Sequence, residues 1–206
     1  MKKLLFLFTL CVIILTGNVF SQKMQVGFTA GATVSTYRIK AESLSVTSEG
    51  KAGVTFGVIS NIPIGSSGSF MPELNFVQKG GMIKADGVKD KLTINYLEVP
   101  LNFVYNAKLP NGKFFVGAGP ALNVGISGKD QWEAEGSSGS DKVYFGKDKD
   151  FKRFDAGLNF VTGYIARSGM MVSFNYNTGL SNSVDSGEGD GKFYNRYLGL
   201  RIGYLF

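Results

Sequence analysis

Between Asn195 and Phe206 the sequence reads NRYLGLRIGYLF, a run in which Leu198, Leu200, Ile202, Tyr204 and Phe206 alternate with Tyr197, Gly199, Arg201, Gly203 and Leu205. Successive side chains of a β-strand point to opposite faces, so a period of two sorts a strand into one apolar face and one mixed face. The alternation recurs upstream. Within 113–127, Phe114, Val116, Ala118, Pro120, Leu122, Val124 and Ile126 oppose Phe115, Gly117, Gly119, Ala121, Asn123 and Gly125. Within 151–166, Phe154, Ala156, Leu158, Phe160, Thr162 and Tyr164 oppose Arg153, Asp155, Gly157, Asn159, Val161 and Gly163. Val172, Phe174 and Tyr176 likewise oppose Ser173, Asn175 and Asn177. Each time the second face is the one that holds glycine and polar groups.

Turn signals divide the chain into eight candidate strands: 25–36, 52–62, 69–79, 91–106, 113–127, 151–166, 170–180 and 194–206. The links after the second, fourth and sixth are tight, whereas those after the first, third, fifth and seventh are longer and polar, the largest being 128–150. A soluble lipocalin-like barrel would put large apolar residues inside and charges outside. Here the apolar face is almost uncharged, and the opposite face carries Gly, Asn, Asp and Arg. A sheet in lipid must close, because no water pairs its edge groups.

The expected fold is therefore all-β: an eight-stranded antiparallel up-and-down transmembrane β-barrel with both termini on the short-turn, periplasmic side. The stripe from Leu198 to Phe206, at about 3.3 Å per residue and about 40° of tilt, covers roughly the ~25 Å apolar band of such a wall. Tyr164, Tyr176, Tyr204 and Phe206 are expected near its aromatic girdles. A content of 28 Gly, 17 Phe and 9 Tyr against 5 Pro fits this class, and no convincing amphipathic helical stretch follows the first two dozen residues.

Those first residues read differently. Lys2 and Lys3 precede an apolar run over 4–15 that is too short to span a bilayer, and modest residues lead to Ser21. This predicts a cleavable signal peptide at 1–21 followed by a barrel domain at 22–206. The one cysteine, Cys11, lies inside the apolar run, which argues against a lipoprotein cut and leaves the mature chain without a thiol. With no histidine anywhere, Ser-His and Cys-His catalysis and His-ligated metals are excluded. The formal charge of +6 comes from scattered basic residues in an exported chain, which speaks against nucleic acid and for contact with anionic outer-membrane lipid.

Six charged residues are expected to point inward: Glu73, Lys79, Glu98, Arg153, Asp155 and Arg201. The favoured reading is a salt-bridged plug, because an eight-stranded barrel is just wide enough for its own side chains. The alternative is a proton-linked or ligand-binding lumen, since ionisable groups within a membrane are costly. Arg201 or Arg153 is expected to pair with Glu73, Glu98 or Asp155, and strand order alone leaves the choice open. Asp141, Asp148 and Asp150 lack the glycine and terminal glutamate of a calcium loop and read as a solvated charged loop. No helix follows the glycines of 117–125, so they do not form a phosphate loop. Trp132, near Glu133 and Glu135, reads as a loop-packing anchor, with ligand or partner contact as the alternative. One conflict stands in 91–106: Leu97, Val99, Leu101, Phe103 and Tyr105 form an outer stripe, yet Leu92 and Ile94 fall on the opposite parity. Either a bulge near Asn95 resets the register or this end projects beyond the bilayer, and projection is the preferred expectation.

Several stretches carry a family resemblance: Val26-Gly27-Phe28-Thr29-Ala30-Gly31-Ala32, Pro72-Glu73-Leu74 leading to Gln78-Lys79-Gly80-Gly81, and Tyr96-Leu97-Glu98-Val99-Pro100-Leu101. Gly117-Ala118-Gly119-Pro120, Asp155-Ala156-Gly157-Leu158 and the stretch from Gly199 to Phe206 continue it in order. The chain resembles the PorT-type outer-membrane β-barrel family of Gram-negative envelopes. The resemblance implies an outer-membrane barrel in a functionally loose family, of which some members are tied to protein secretion. Tyr204 and Phe206 resemble the terminal signal by which barrel-assembly machinery recognises its clients. The expected function is a non-enzymatic barrel with a plugged polar lumen and no cofactor, serving envelope integrity, surface interaction or a secretion assembly through its loops. A small-solute channel is the alternative and a membrane enzyme a more distant one.

Overall fold

The computed structural model describes residues 24–41, 44–85, 87–134, 136–146, 149–184 and 192–206. The expected signal peptide at 1–21 lies outside the described residues, as do Glu135 and Asp148. The described residues form ten strands: β1 Gln25–Ala41, β2 Leu44–Thr47, β3 Lys51–Ile64, β4 Gly68–Ala85, β5 Val88–Leu109, β6 Gly112–Ala134, β7 Ser137–Val143, β8 Phe154–Ala166, β9 Met170–Gly179 and β10 Lys192–Leu205. Eight of them form an antiparallel ring in the order β1, β3, β4, β5, β6, β8, β9, β10. The ring closes where β10 pairs with β1, from Gly27 opposite Leu205 to Lys40 opposite Lys192. Closure leaves no edge to be satisfied by water, as a lipid-embedded sheet requires.

The two additional strands depart from the expected loops. β2 folds back on β1, and β7 folds back on the far end of β6, where 128–134 continues as strand instead of loop. β4, β5 and β6 also run further at the long-loop end than their alternation suggested, making a ribbon of β5, β6 and β7 that rises beyond the ring. The tight connections at 65–67, 110–111 and 167–169 gather at the other end. Gly65 and Gly169 supply the positive φ these turns need, 69° and 92°.

Side-chain parity follows the sequence alternation through the ring. Phe28, Val34, Phe56, Phe103, Val116, Phe160, Phe174, Leu198 and Ile202 are all exposed on the outer wall. Rings pair across neighbouring strands there, Phe56 with Phe76 and Phe70 with Phe103, with centroids 4.9 and 5.0 Å apart. A continuous apolar band of this kind is the pattern of an outer-membrane-type barrel wall.

The interior is layered along its length. Ile59, Met71, Val104, Phe115, Val161, Ile165, Met171 and Leu205 form an apolar cluster at the short-turn end. Tyr37, Leu92, Ile94, Tyr96, Phe151 and Phe193 form a second cluster at the long-loop end. Leu92 and Ile94 thus belong to the interior, and β5 keeps its parity without a break. A bulge does lie at Asn95, but on the partner strand: Asn95 faces Ser127 while Tyr96 faces Gly125, so Ile126 is the extra residue. This corrects the expectation that Leu92 and Ile94 are off-parity only because the strand projects.

Candidate functional site

Between the two apolar clusters lies a polar layer. Strand alternation brings Glu73, Asn75 and Lys79 inward from β4, Glu98 and Asn102 from β5, Asn123 from β6, Asp155 and Asn159 from β8, and Tyr197 and Arg201 from β10. All are buried, with Glu98 and Arg201 at 0% and 3% exposure. Small residues make the room: a Cβ on Gly57 would come within 2.2 Å of the Asn75 amide oxygen.

Two ion pairs organise this layer. The Arg201 guanidinium grips Glu73 with both nitrogens, Nη1 to Oε2 at 2.5 Å and Nη2 to Oε1 at 3.2 Å. Asn75 and Asn102 donate to the same carboxylate at 2.8 and 3.1 Å, and Asn159 donates to Asn102 at 2.9 Å. One step toward the long-loop end, Lys79 Nζ meets Glu98 at 2.7 Å and donates to Asn123 at 3.0 Å. The Tyr197 hydroxyl donates to the other Glu98 oxygen at 2.6 Å. The same ammonium lies 5.1 Å from the ring centres of Tyr96 and Tyr197, a cation–π sandwich in a buried site. Asp155 accepts from the Ser181 hydroxyl. Burying ions in this way is tolerated only where each finds its counterion and hydrogen bonds.

Arg153, expected in this network, is not part of it. It precedes β8 at a bend, where its side chain is exposed and its Nη2 donates to the Phe145 carbonyl at 3.3 Å. The Gly125 amide donates to the Arg153 carbonyl at 2.8 Å, so the backbone still follows β6 here while the side chain turns out to the Phe145 carbonyl. Arg201 takes Glu73 from the three carboxylates open to it, and Lys79 takes Glu98. Chemically, the layer holds four of its charges as two matched pairs, Arg201 with Glu73 and Lys79 with Glu98, while Asp155 is held by the Ser181 hydroxyl and has no ion pair among the described residues.

The remaining sequence candidates lie outside the lumen. Trp132 stands on the β5–β6–β7 ribbon with its indole over Gly139, where a Cβ would come within 2.5 Å of the ring, and it is 41% exposed. Asp150 accepts from the Tyr144 amide at 2.8 Å, and Asp141 pairs in register with Asp130. Tyr204 and Phe206 stack edge to face at 5.2 Å, and Phe206 meets Phe28 at 5.9 Å, forming an aromatic group at the short-turn rim. A carboxylate pair on the ribbon was not visible in the sequence. Asp130 sits beside Asp90, and burial, followed by the hydrogen bond and charge of Asp90, pushes its carboxyl up to about 6. Only the register of β5 against β6 reveals that neighbourhood.

Residues 20–185 match the family described as outer membrane protein beta-barrel domain. No curated protein matches the chain. Among solved structures the chain is similar to Ail, the attachment invasion locus protein of Yersinia pestis, at 12% identity and a TM-score of 0.43, covering 90% of this chain and 100% of that one. It is also similar to Neisserial surface protein A at 13% identity and a TM-score of 0.44, covering 90% and 100%. For the outer membrane protein OprG from Pseudomonas aeruginosa the figures are 13% and 0.48, covering 89% and 95%.

Proposed function

Because the chain belongs to the outer membrane protein beta-barrel domain family, we propose that it is a non-enzymatic integral outer-membrane protein of a Gram-negative envelope with a closed lumen. The observation that carries this reading is the interior layering. Two matched ion pairs lie between two apolar clusters, so an ion entering from either end would meet first hydrocarbon side chains and then charges already neutralised. The absence of histidine and the position of the lone cysteine within 1–21 support a role without Ser-His or Cys-His catalysis.

In this reading the ribbon of β5, β6 and β7, with exposed Trp132, is the outward surface that meets a partner, and the barrel serves envelope integrity, surface contact or a secretion assembly. The PorT-type assignment is part of the proposal and rests on the Tyr96–Leu101 motif and its companions. So are cleavage after Ser21 and a role for Tyr204 and Phe206 in recognition by barrel-assembly machinery. Planar-bilayer recording of the purified protein tests the closed lumen. The expected result is the absence of steady openings. Ohmic, solute-permeable currents would instead establish the small-solute channel.

A further inference from the structure

We propose that the outer wall carries a binding site for the phosphate of an anionic lipid headgroup, built by Arg38, Lys40, Lys192 and Arg196 around Tyr194 where β1 meets β10. The proposal rests on the reading that this wall faces lipid. On β1 and β10 the even-numbered residues face outward, from Phe28 and Val34 on one strand and Ile202 and Leu198 on the other. Continued toward the long-loop end, the same parity replaces apolar side chains with these four cations.

Their pairing is unusual. Lys40 lies directly opposite Lys192, Arg38 opposite Tyr194, and Thr36 opposite Arg196. Like charges facing each other across a strand pair destabilise the sheet, and an anion seated between them relieves the repulsion. A cavity of about 250 Å³ opens at this spot, lined by Arg38, Lys40, Tyr194 and Arg196 with part of β9, and among the described residues no carboxylate lines it. Arg196 Nε is spent on Thr36 at 3.0 Å, which fixes the guanidinium plane, and Lys40 lies 6.0 Å above the Tyr194 ring. Guanidinium forks suit phosphate oxygens, which accept paired charge-assisted bonds.

Height selects a lipid as the source of that phosphate. Tyr194 and Tyr204 both face outward on β10. The ten residues from one to the other, at about 3.3 Å each and about 40° of tilt, span roughly 25 Å, one apolar band. The cations therefore stand at headgroup level on the long-loop side, where lipid phosphates are held in the same plane at high local density while a free anion must be drawn from dilute solution.

Native mass spectrometry of the full chain tests this, from detergent micelles doped with phosphatidic acid or phosphatidylcholine. Wild type should retain phosphatidic acid in preference to phosphatidylcholine, and the Arg38→Gln/Arg196→Gln variant should retain about tenfold less of it. A Lys89→Gln/Lys91→Gln variant, which alters cations on another sector, should behave as wild type. Heat-modifiable migration on a denaturing gel establishes that each variant is folded. Equal retention by the double variant, equal retention of both lipids, or displacement by millimolar inorganic phosphate would overturn the lipid site. A folded, non-conducting barrel that fails here sinks this inference alone, whereas a conducting one sinks the closed-lumen reading.

Discussion

Arg201 and Glu73, 128 residues apart in sequence, meet inside the barrel as a two-pronged ion pair with neither side chain open to solvent. The pair connects β10 to β4, strands that are not neighbours in the ring. It is therefore a cross-lumen tie as well as a neutralised charge.

Arg201→Ala removes one partner and leaves Glu73 buried with only two asparagine donors. The expected loss is about 3 to 5 kcal/mol, since an uncompensated buried charge keeps most of its desolvation cost. Arg201→Met combined with Glu73→Gln should lose clearly less, because no ion is then stranded. Urea unfolding in detergent or lipid vesicles measures both. A double variant as unstable as Arg201→Ala would show that the tie, not the stranded charge, carries the effect.

Much of this arrangement was legible from parity alone. The outer stripe, the ring of eight strands and the inward placement of Glu73, Lys79, Glu98, Asp155 and Arg201 follow from counting by two. What parity does not reach is partner choice: several carboxylates face the same lumen, and only closure of β10 on β1 and the height of each residue pair Arg201 with Glu73. Counting by two misplaces Arg153, because the chain bends there before β8 begins at Phe154. β2 and β7 carry weaker signals: LSVT alternates for only four residues, too few to mark a wall strand, and SSGSDKV is polar on both faces. Leu92 and Ile94 looked inconsistent only against a lumen assumed polar throughout.

The ribbon should respond to pH through Asp130. Its folded carboxyl titrates near 6 against an ordinary 3.8. Between those values the folded ribbon binds a proton more tightly than the unfolded chain, so its stability falls as pH rises through the window and levels off above it. Hydrogen exchange of β5, β6 and β7, corrected for intrinsic rates, should show protection declining from about pH 4 to about pH 6. Asp130→Asn should flatten that dependence while leaving protection of the ring strands unchanged. A slope identical in the variant would remove Asp130 as its source.

At the long-loop end of the lumen, Gly125 faces inward on β6 opposite Tyr96. The Phe145 ring lies directly over it, so a Cβ at this position would come within 2.4 Å of two ring carbons. Phe145 in turn contacts Phe151 at 6.3 Å, and Phe151 meets Phe193 of β10 edge to face at 5.0 Å. Gly125 is thus the seat on which an aromatic stack closes one end of the barrel. Gly125→Val keeps the strand and improves its β-propensity, yet it must lift Phe145, and with it the carbonyl that holds Arg153. The expected outcome is an intact barrel, still heat-modifiable on a gel, that trypsin cuts several-fold faster at Lys152 or Arg153, since cleavage follows the population of the opened segment. Phe145→Ala in the Gly125→Val background should restore room at the seat without restoring the stack, so fast cleavage should persist. Gly125→Val with wild-type cleavage would show that Phe145 is held by its other neighbours and that the glycine is not the seat.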